Sequence, residues 1–246
     1  MLIAGDTNTM GAAILNAKGC LYAGAGLTTL SVPVSGLSTL NTVLPEVMFL
    51  DRADLSEKNL IKYSAIGMGS GLGSTATSKI LLEQVLDLNR PLVLDADALN
   101  LMASYPALLH KLAPGAILTP HVKEFDRLFG EHLSWYDRLL TARIQAQRLE
   151  CVIILKNRYT FISDGGKQVY INPTGNPGMA QGGMGDVLTG VLTAFMAQGK
   201  TALQSAMLSC YLHGKAGDDL AADHFNVTAS QVAENIPLIT RHLICS

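Results

Sequence analysis

The first two thirds of the chain alternate short apolar runs with longer segments whose apolar residues recur at helical spacing. This alternation is typical of βαβ units around a mostly parallel central sheet that carries helices on both faces. Helical spacing covers residues 11–23, 75–88 and 135–150. The apolar runs predict strands at residues 1–4, 27–32, 47–50, 64–66, 92–94, 116–118 and 152–155.

The pattern changes after residue 155. Two β-type runs flank Asp164-Gly165-Gly166, which predicts an antiparallel hairpin. A glycine-rich segment then leads to helical patterns at 185–198 and 201–222. A last helix is predicted over 226–244, with Pro237 as a kink or a boundary.

Chemically distinctive residues directly follow several of the predicted strands. The segments are AGD at 4–6, GMGSGLG at 67–73, DADALN at 95–100, TPH at 119–121 and KNRYT at 156–160. The carboxyl ends of parallel strands meet at one edge of an open sheet, and ligands bind in the crevice there. We therefore expect one site to draw on all five segments.

Composition narrows the class of ligand. Of the 246 residues, 48% are hydrophobic and 15% are charged, which suits a globular chain with a covered sheet. The net charge of -2, without any Lys/Arg block, gives no reason to expect nucleic acid or an anionic membrane as a partner. A phosphate ligand would have to be held by local contacts.

Two further features predict a cytoplasmic protein. The four cysteines have neither CxxC spacing nor a compact framework, so we interpret them as reduced thiols, most of them in the core. The start MLIAGDTNTMGAAIL lacks the basic and apolar regions of a secretion signal. No stretch reaches the roughly 20 apolar residues that a membrane-spanning helix needs.

The strongest chemical signal is NPTGNPGMAQGGMGDVLTG at 172–190. Its glycines allow the backbone to approach a ligand closely, and they lead into an apolar helix whose free N–H groups favour phosphate oxygens. Asp186, at the start of this helix, has two interpretations. It is a favoured capping or first-turn residue, or it accepts the proton of a hydroxyl that attacks a phosphoryl group.

The other candidates are less specific. Segment 67–73 is either a tight turn or a ligand-lining loop, and Asp95 and Asp97 either end a strand and cap a helix or orient a metal-bound phosphate. His121 is either structural or a substrate contact, whereas Lys156 ends a buried strand and has to meet solvent or an anion. No cluster has zinc spacing, so no protein metal site is predicted.

Together these motifs resemble the NAD(P)H-hydrate dehydratase family, relatives of ribokinase and of the hydroxyethylthiazole kinases. The resemblance depends on the joint order of the motifs, which are GAA (11–13), GAGL (24–27), GSGLG (69–73), LDADALN (94–100), TPH, LKNRYT and the glycine-rich segment. It implies one ribokinase-like α/β domain over residues 1–246. Relatives usually have a further segment before the first strand, which we expect this chain to lack.

The resemblance implies ADP-dependent dehydration of (6S)-NADHX or NADPHX to NADH or NADPH, with Mg²⁺ present and with release of AMP and phosphate. A homo-oligomer and an NAD(P)H-hydrate epimerase partner are also expected. Ala12, Gly71, His121 and Asp186 are implied to bind the hydrated nicotinamide, with Asp186 catalytic. The residues implied to bind ADP are Lys156, Asn157, Arg158, Tyr159, Thr160, Asn176, Gly178, Gly182, Gly183 and Gly185.

The sequence also departs from the family pattern. Ser70 stands in place of the usual Pro, Val122-Lys123 in place of Pro-Gly, and Asn157 in place of the Gly after the lysine. None of these changes removes a chemically essential group. Two alternatives stay open: a small-molecule kinase of the hydroxyethylthiazole kinase type, which would leave phosphate on its product, and a catalytically silent nucleotide-binding protein.

Overall fold

Nine strands form one sheet in the computed structural model, which describes residues 1–245. The strands are β1 (Leu2–Ile3), β2 (Thr29–Val32), β3 (Met48–Asp51), β4 (Ile66–Met68), β5 (Leu92–Leu94), β6 (Ile117–Leu118), β7 (Val152–Leu155), β8 (Thr160–Ser163) and β9 (Tyr170–Asn172). The order across the sheet is β3-β2-β1-β4-β5-β6-β7-β8-β9. Strands β1 to β7 pair in parallel, and β8 and β9 extend the sheet in antiparallel pairs.

Helices cover both faces of this sheet, so the predicted α/β architecture is confirmed. The helices are α1 (Met10–Tyr22), α2 (Leu37–Val43), α3 (Glu57–Leu60), α4 (Ala76–Asp87), α5 (Ala96–Ser104), α6 (Val122–Phe129), α7 (Trp135–Arg148), α8 (Met184–Ala197), α9 (Ala202–Ala221) and α10 (Ala229–Cys245). Side chains that alternate along β7 contact different layers of helices. Ile153 and Leu155 pack in a cluster with α4 to α7, whereas Val152 and Ile154 pack with α8 and α9.

The order of the strands reverses between β1 and β4. The chain passes from β1 outwards to β2 and β3, returns to β4 on the other side of β1, and then continues in the opposite direction. In open parallel sheets such a reversal leaves a crevice at the carboxyl ends of the strands. The loops that follow β1 and β4 meet there, because the N–H of Gly5 donates a hydrogen bond to the carbonyl of Ser70 at 2.7 Å.

Two element predictions are wrong. Strand β4 runs from Ile66 to Met68 instead of 64–66. Gly67 pairs with Leu2 of β1 and Val93 of β5, and its missing side chain leaves room for Thr193 of α8. A boundary at Pro237 is also wrong, since α10 continues through this residue. Helices α2, α3 and α6 were not predicted. Helix α5 was anticipated only through Asp97 as a possible cap, and that cap is wrong because α5 begins at Ala96 with Asp95 as its N-cap.

The cysteines agree with the expectation that most of them are core thiols. Cys20, Cys151 and Cys210 are free and buried, and Cys245 is free and exposed. Across residues 1–245, the helices fall short of the combined length and apolar character that crossing a membrane requires.

Candidate active site

Asp95, directly after β5, is the centre of a buried polar cluster. Its Oδ1 accepts hydrogen bonds from Nζ of Lys156 at 2.7 Å and from Oγ1 of Thr119 at 2.6 Å. Its Oδ2 accepts one from Oγ1 of Thr189 at 3.1 Å. A buried carboxylate is tolerated when it is ion-paired and fully hydrogen-bonded. Asp95 therefore joins the ends of β5, β6 and β7 to helix α8.

Lys156 ends β7 as a charged partner of this cluster. Burial alone would lower the pKa of its ammonium group, but the negative charges of Asp95, Glu124 and Asp186 outweigh burial and raise that pKa. The lysine therefore remains protonated. Gly185 lies against the pair, since a Cβ at this position would be 3.3 Å from Nζ of Lys156 and 3.4 Å from Oδ2 of Asp95.

Asp186 lies in the first turn of α8, three residues after the N-cap. That cap is Gly183, which has a left-handed φ of 92°, and no side chain caps the helix. Burial, followed by repulsion from Asp95, raises the pKa of the Asp186 carboxyl to about 6, while Ser70 and Lys156 act in the opposite direction. A carboxylate that titrates near neutral pH suits a general base. Asp186 is thus a first-turn residue and does not cap the helix.

Ala12 and Gly71 meet at the crevice between β1 and β4. The φ of Gly71 is +62°, and a Cβ at this position would be 2.9 Å from the Cβ atoms of Ala12 and Thr9. Oγ1 of Thr9 donates a hydrogen bond to the carbonyl of Gly71 at 2.6 Å. The loop after β4 is therefore held against the start of α1, and only glycine fits at this contact.

His121 caps α6. Its Nδ1 accepts hydrogen bonds from the N–H of Lys123 at 3.0 Å and of Glu124 at 3.4 Å, and Glu124 accepts one from the His121 N–H at 2.8 Å. This reciprocal pattern is a capping box. The half-exposed ring also brings Nε2 to 3.4 Å from Oε1 of Glu124. The structural role is therefore observed, and contact with substrate stays a prediction.

Asp218 of α9 anchors the glycine-rich loop, a role that the sequence did not predict. Its Oδ2 accepts a hydrogen bond from the N–H of Gly175 and its Oδ1 accepts one from Nδ2 of Asn176, both at 2.9 Å. Gly214 and Gly217 lie under the same loop, where side chains would collide with Thr174 and Met179. The sequence signal that could have indicated this anchor is the pair Gly214 and Gly217, which precedes Asp218 within a helical pattern and leaves room for a closely packed loop.

The relationship to known proteins is decided by a family model described as NAD(P)H-hydrate dehydratase, which matches residues 1–238. The chain belongs to this dehydratase family. It is 36% identical over 244 residues to the ADP-dependent (S)-NAD(P)H-hydrate dehydratase of Lactiplantibacillus plantarum, covering 96% of this chain and 86% of that protein. It is 35% identical over 260 residues to the bifunctional NAD(P)H-hydrate repair enzyme of Moorella thermoacetica, and spans 49% of that longer protein and 99% of itself.

Solved structures related to this dehydratase-family chain confirm the ribokinase-like fold. A ribokinase-like superfamily protein from Enterococcus faecalis superposes with a TM-score of 0.87 at 31% identity, covering 98% of this chain and 86% of that one. The ADP/ATP-dependent NAD(P)H-hydrate dehydratase of Bacillus subtilis, co-crystallised with ATP and Mg²⁺, superposes with a TM-score of 0.84 at 29% identity and covers 98% and 90%.

The dehydratase fold brings part of the predicted nucleotide set together. Lys156 and Gly185 meet at the buried ion pair, and Asn176 accepts the Gly178 N–H in the loop that Asp218 anchors. Residues 157–159 form an exposed turn between β7 and β8, in which Arg158 lies over the Tyr159 ring at 5.6 Å. These side chains lie outside the hydrogen-bonded cluster, so their contact with ADP stays a prediction.

A protein-built metal cage is not found in the dehydratase site. Within the described residues, no group of three or more His, Cys, Asp or Glu side chains could hold a metal ion. Asp95 has both oxygens engaged by protein donors, and Oδ2 of Asp97 accepts the N–H of Gly73 at 2.8 Å. The residues present fit a Mg²⁺ ion that is carried mainly by nucleotide phosphates and water.

Proposed function

We propose that this chain catalyses the ADP-dependent dehydration of (6S)-NADHX and NADPHX to NADH and NADPH, with release of AMP and phosphate. Family membership and the name of the Lactiplantibacillus relative support the reaction class. The observation that carries the proposal is Asp186, whose carboxyl has a pKa raised to about 6 at the start of the helix that follows the glycine-rich loop.

The proposed reaction has two bond-breaking steps. The hydroxyl oxygen on carbon 6 of the hydrated nicotinamide attacks the terminal phosphorus of ADP, its proton passes to Asp186, and AMP leaves with the bridging oxygen. The bond between carbon 6 and oxygen then breaks, with both electrons leaving on phosphate. Carbon 5 then releases a proton to water, and the electrons of that C–H bond form the ring double bond between carbons 5 and 6. Asp186 returns its acquired proton to solvent, which restores the base.

Two features of the chain, together with a Mg²⁺ ion, would assist phosphoryl transfer. The first-turn N–H groups of α8, with Gly182, Gly183 and Gly185 around them, would face the phosphates, because a helix N-terminus favours anions. The ammonium of Lys156 lies beside this turn and offers positive charge. Mg²⁺ would neutralise further phosphate charge. The protein thus contributes mainly position and electrostatic stabilisation.

The remaining predicted residues divide between the two substrates. Ala12, Gly71 and His121 would line the nicotinamide side, since the crevice between β1 and β4 brings the first two together. Asn157 to Thr160, Asn176 and Gly178 would contact the nucleotide. The carboxylate of Asp218 would act on ADP indirectly, by holding the Gly175-Asn176 turn in place.

Two proposals concern partners. A homo-oligomer is supported by an apolar stripe on α7, in which the exposed side chains of Tyr136, Leu140 and Ile144 recur every four residues. An NAD(P)H-hydrate epimerase would supply the reactive epimer of the substrate. Sedimentation of the purified chain tests the first proposal by measuring its oligomeric state. The second proposal is tested with a mixture of the two NADHX epimers, of which a larger fraction should be converted to NADH when an epimerase is added.

The deciding experiment follows the nicotinamide absorbance of (6S)-NADHX mixed with the chain, ADP and Mg²⁺, while AMP and free phosphate are measured. The proposal expects NADH, AMP and phosphate in equal amounts, with ADP at least as effective as ATP. Phosphate retained on an organic product would identify a small-molecule kinase instead. Nucleotide binding without turnover would identify a silent binding protein.

A further inference from the structure

Arg52, the first residue after β3, joins the carboxyl ends of three neighbouring strands. Its Nη2 donates hydrogen bonds to the carbonyls of Ala4 at 2.7 Å, Gly5 at 3.0 Å and Ser31 at 2.7 Å. The first two carbonyls follow β1, and the third belongs to β2. The half-buried guanidinium therefore bridges β1, β2 and the end of β3 at the edge of the sheet where the crevice lies.

The bridge begins where the ladder between β1 and β2 ends. Ile3 is in register with Ser31, but the N–H of Ala4 reaches the Ser31 carbonyl only at 3.4 Å. Gly5 has a left-handed φ of +69°, which ends the extended conformation of β1. Because buried backbone carbonyls need a donor, Arg52 supplies the hydrogen bonds that the interrupted ladder lacks.

This use of an arginine is costly for folding. The three acceptors of Nη2 are neutral carbonyls, and Nε is buried without a hydrogen-bond partner within residues 1–245. Burial also lowers the pKa of the Arg52 guanidinium to about 10, although the negative charges of Asp6 and Asp51 act in the opposite direction. A charge kept in such surroundings costs free energy. This cost favours a role in the crevice over a role in stability alone.

The loop that Arg52 holds is also bonded to the opposite wall of the crevice. The carbonyl of Gly5 accepts from Arg52, while its N–H donates to the carbonyl of Ser70 at 2.7 Å. Further along the same loop, Oγ1 of Thr9 donates to the carbonyl of Gly71 at 2.6 Å. The loop after β1 is thus held between Arg52 on one side and the loop after β4 on the other.

We propose that Arg52 is a positioning residue, which holds the loop after β1 at the distance from the loop after β4 that the hydrated nicotinamide requires. This inference rests on the proposed function, in which Ala12 and Gly71 line this side of the crevice. Without the bridge the loop after β1 can shift, so that the nicotinamide is bound less tightly and out of line. The ADP side is built from the ends of β5 to β7 and from α8, and it should be unaffected.

The test compares the two substrates of Arg52→Met, with (6S)-NADHX, ADP and Mg²⁺ in the assay. The KM for NADHX should rise roughly tenfold, whereas the KM for ADP should change by less than about twofold. Arg52→Lys keeps a cation with three donors, so its KM for NADHX should lie between those of Arg52→Met and the parent. The matched control is Arg90→Met, which removes a guanidinium that donates to the carbonyl of Ile61 and should leave both KM values unchanged.

Amide hydrogen exchange gives a readout that needs no turnover. In Arg52→Met the amide of Gly5 should exchange at least about tenfold faster relative to the amide of Ile154, in β7, because the loop opens locally. Unchanged exchange at Gly5 would overturn the bridge.

The kinetic outcomes separate this inference from the proposed function. An unchanged KM for NADHX, or an equal rise in both KM values, would reject the positioning role in an active chain. A parent chain without dehydratase activity rejects the proposed function, and with it the role in this reaction, while faster exchange at Gly5 would still establish the bridge. If Arg52→Met does not fold, Arg52→Gln, which retains part of the donors, decides by the same comparison of KM values.

Discussion

Nζ of Lys156 lies 2.7 Å from Oδ1 of Asp95, and the ion pair lies beneath the first turn of α8. Lys156→Met would leave the buried Asp95 carboxylate without its counter-charge, which should lower the free energy of unfolding by about 2 to 4 kcal/mol. Urea unfolding at pH 7 measures this loss. The matched control is Lys79→Met, which breaks the more exposed pair with Glu83 and should cost less than about 0.5 kcal/mol. Equal losses in the two variants would contradict the buried-pair description.

Asp186→Asn should separate catalysis from binding. The amide cannot accept the hydroxyl proton, so kcat for NADHX should fall by about 10² to 10⁴. The dissociation constant for ADP should stay equal or decrease, because a negative charge is removed beside the phosphates. Steady-state kinetics and calorimetric titration measure the two quantities. Asp223→Asn, on the exposed surface, is the control for both. A variant with near-normal kcat would rule out the proposed base.

The same variant should change how stability depends on pH. The folded chain raises the pKa of Asp186 from 3.8 to about 6, so the folded state binds the proton more tightly than the unfolded state does. The stability contributed by this group is present below about pH 4 and is lost as pH rises through 6. Asp186→Asn should therefore be more stable than the parent at pH 8, by about 1 to 2 kcal/mol. Denaturant midpoints from pH 4 to 8 should show this advantage shrinking as pH falls.

His121→Asn distinguishes the capping role from substrate contact. Asparagine is a good N-cap, so the free energy of unfolding should change by less than about 1 kcal/mol. If the imidazole also contacts the hydrated nicotinamide, KM for NADHX should rise roughly 2- to 10-fold through the lost hydrogen bond. Thr201→Asn replaces the cap of α9 in the same way and should leave KM unchanged. An unchanged KM in both variants would restrict His121 to capping α6.

Asp218→Asn tests the anchor of the glycine-rich loop. The amide turns a donor toward either Gly175 N–H or Asn176 Nδ2, so one of the two 2.9 Å hydrogen bonds is lost. The dissociation constant for ADP should rise roughly tenfold, and kcat at saturating ADP should change little. Asp219→Asn alters the neighbouring carboxylate, which contacts Asn235 instead, and should leave ADP binding unaffected. Equal affinities in the two variants would remove Asp218 from the nucleotide site.

The fold could be predicted where the apolar pattern was uninterrupted. Strand β7 has the predicted bounds, and α8 and α9 lie within one residue of theirs at each end. The prediction of an element failed where the local sequence signal conflicted with packing or was too short. Gly67 indicates a strand end by itself, yet its missing side chain is what allows β4 to pack on α8. Helix α6 has only eight residues, too few for its spacing to be distinctive.

The sequence predicted the part of the site that is formed by residues directly after the strands. Asp95 follows β5 and Lys156 follows β7, which are separated in the sheet only by β6, and the two side chains meet at this edge. Contacts made from the sides of helices could not be found this way. Asp218 reaches Asn176 across 42 residues, and Asn16 reaches Ser70 across 54. The spacing of apolar residues does not predict which polar side chain of a helix contacts a loop, because this depends on how α1 and α9 pack in the complete fold.

The four-residue cluster around Asp95 also sets when the site can form during synthesis. Its hydrogen bonds connect Asp95 to Thr119, Lys156 and Thr189, at sequence separations of 24, 61 and 94 residues. Contacts of such separation form late, because long loops must close first. Until α8 has left the ribosome, the nascent chain lacks the Thr189 hydroxyl and the first-turn N–H groups of that helix. Nucleotide capture should therefore begin only after most of the chain has been translated, and C-terminally truncated products should not compete for ADP.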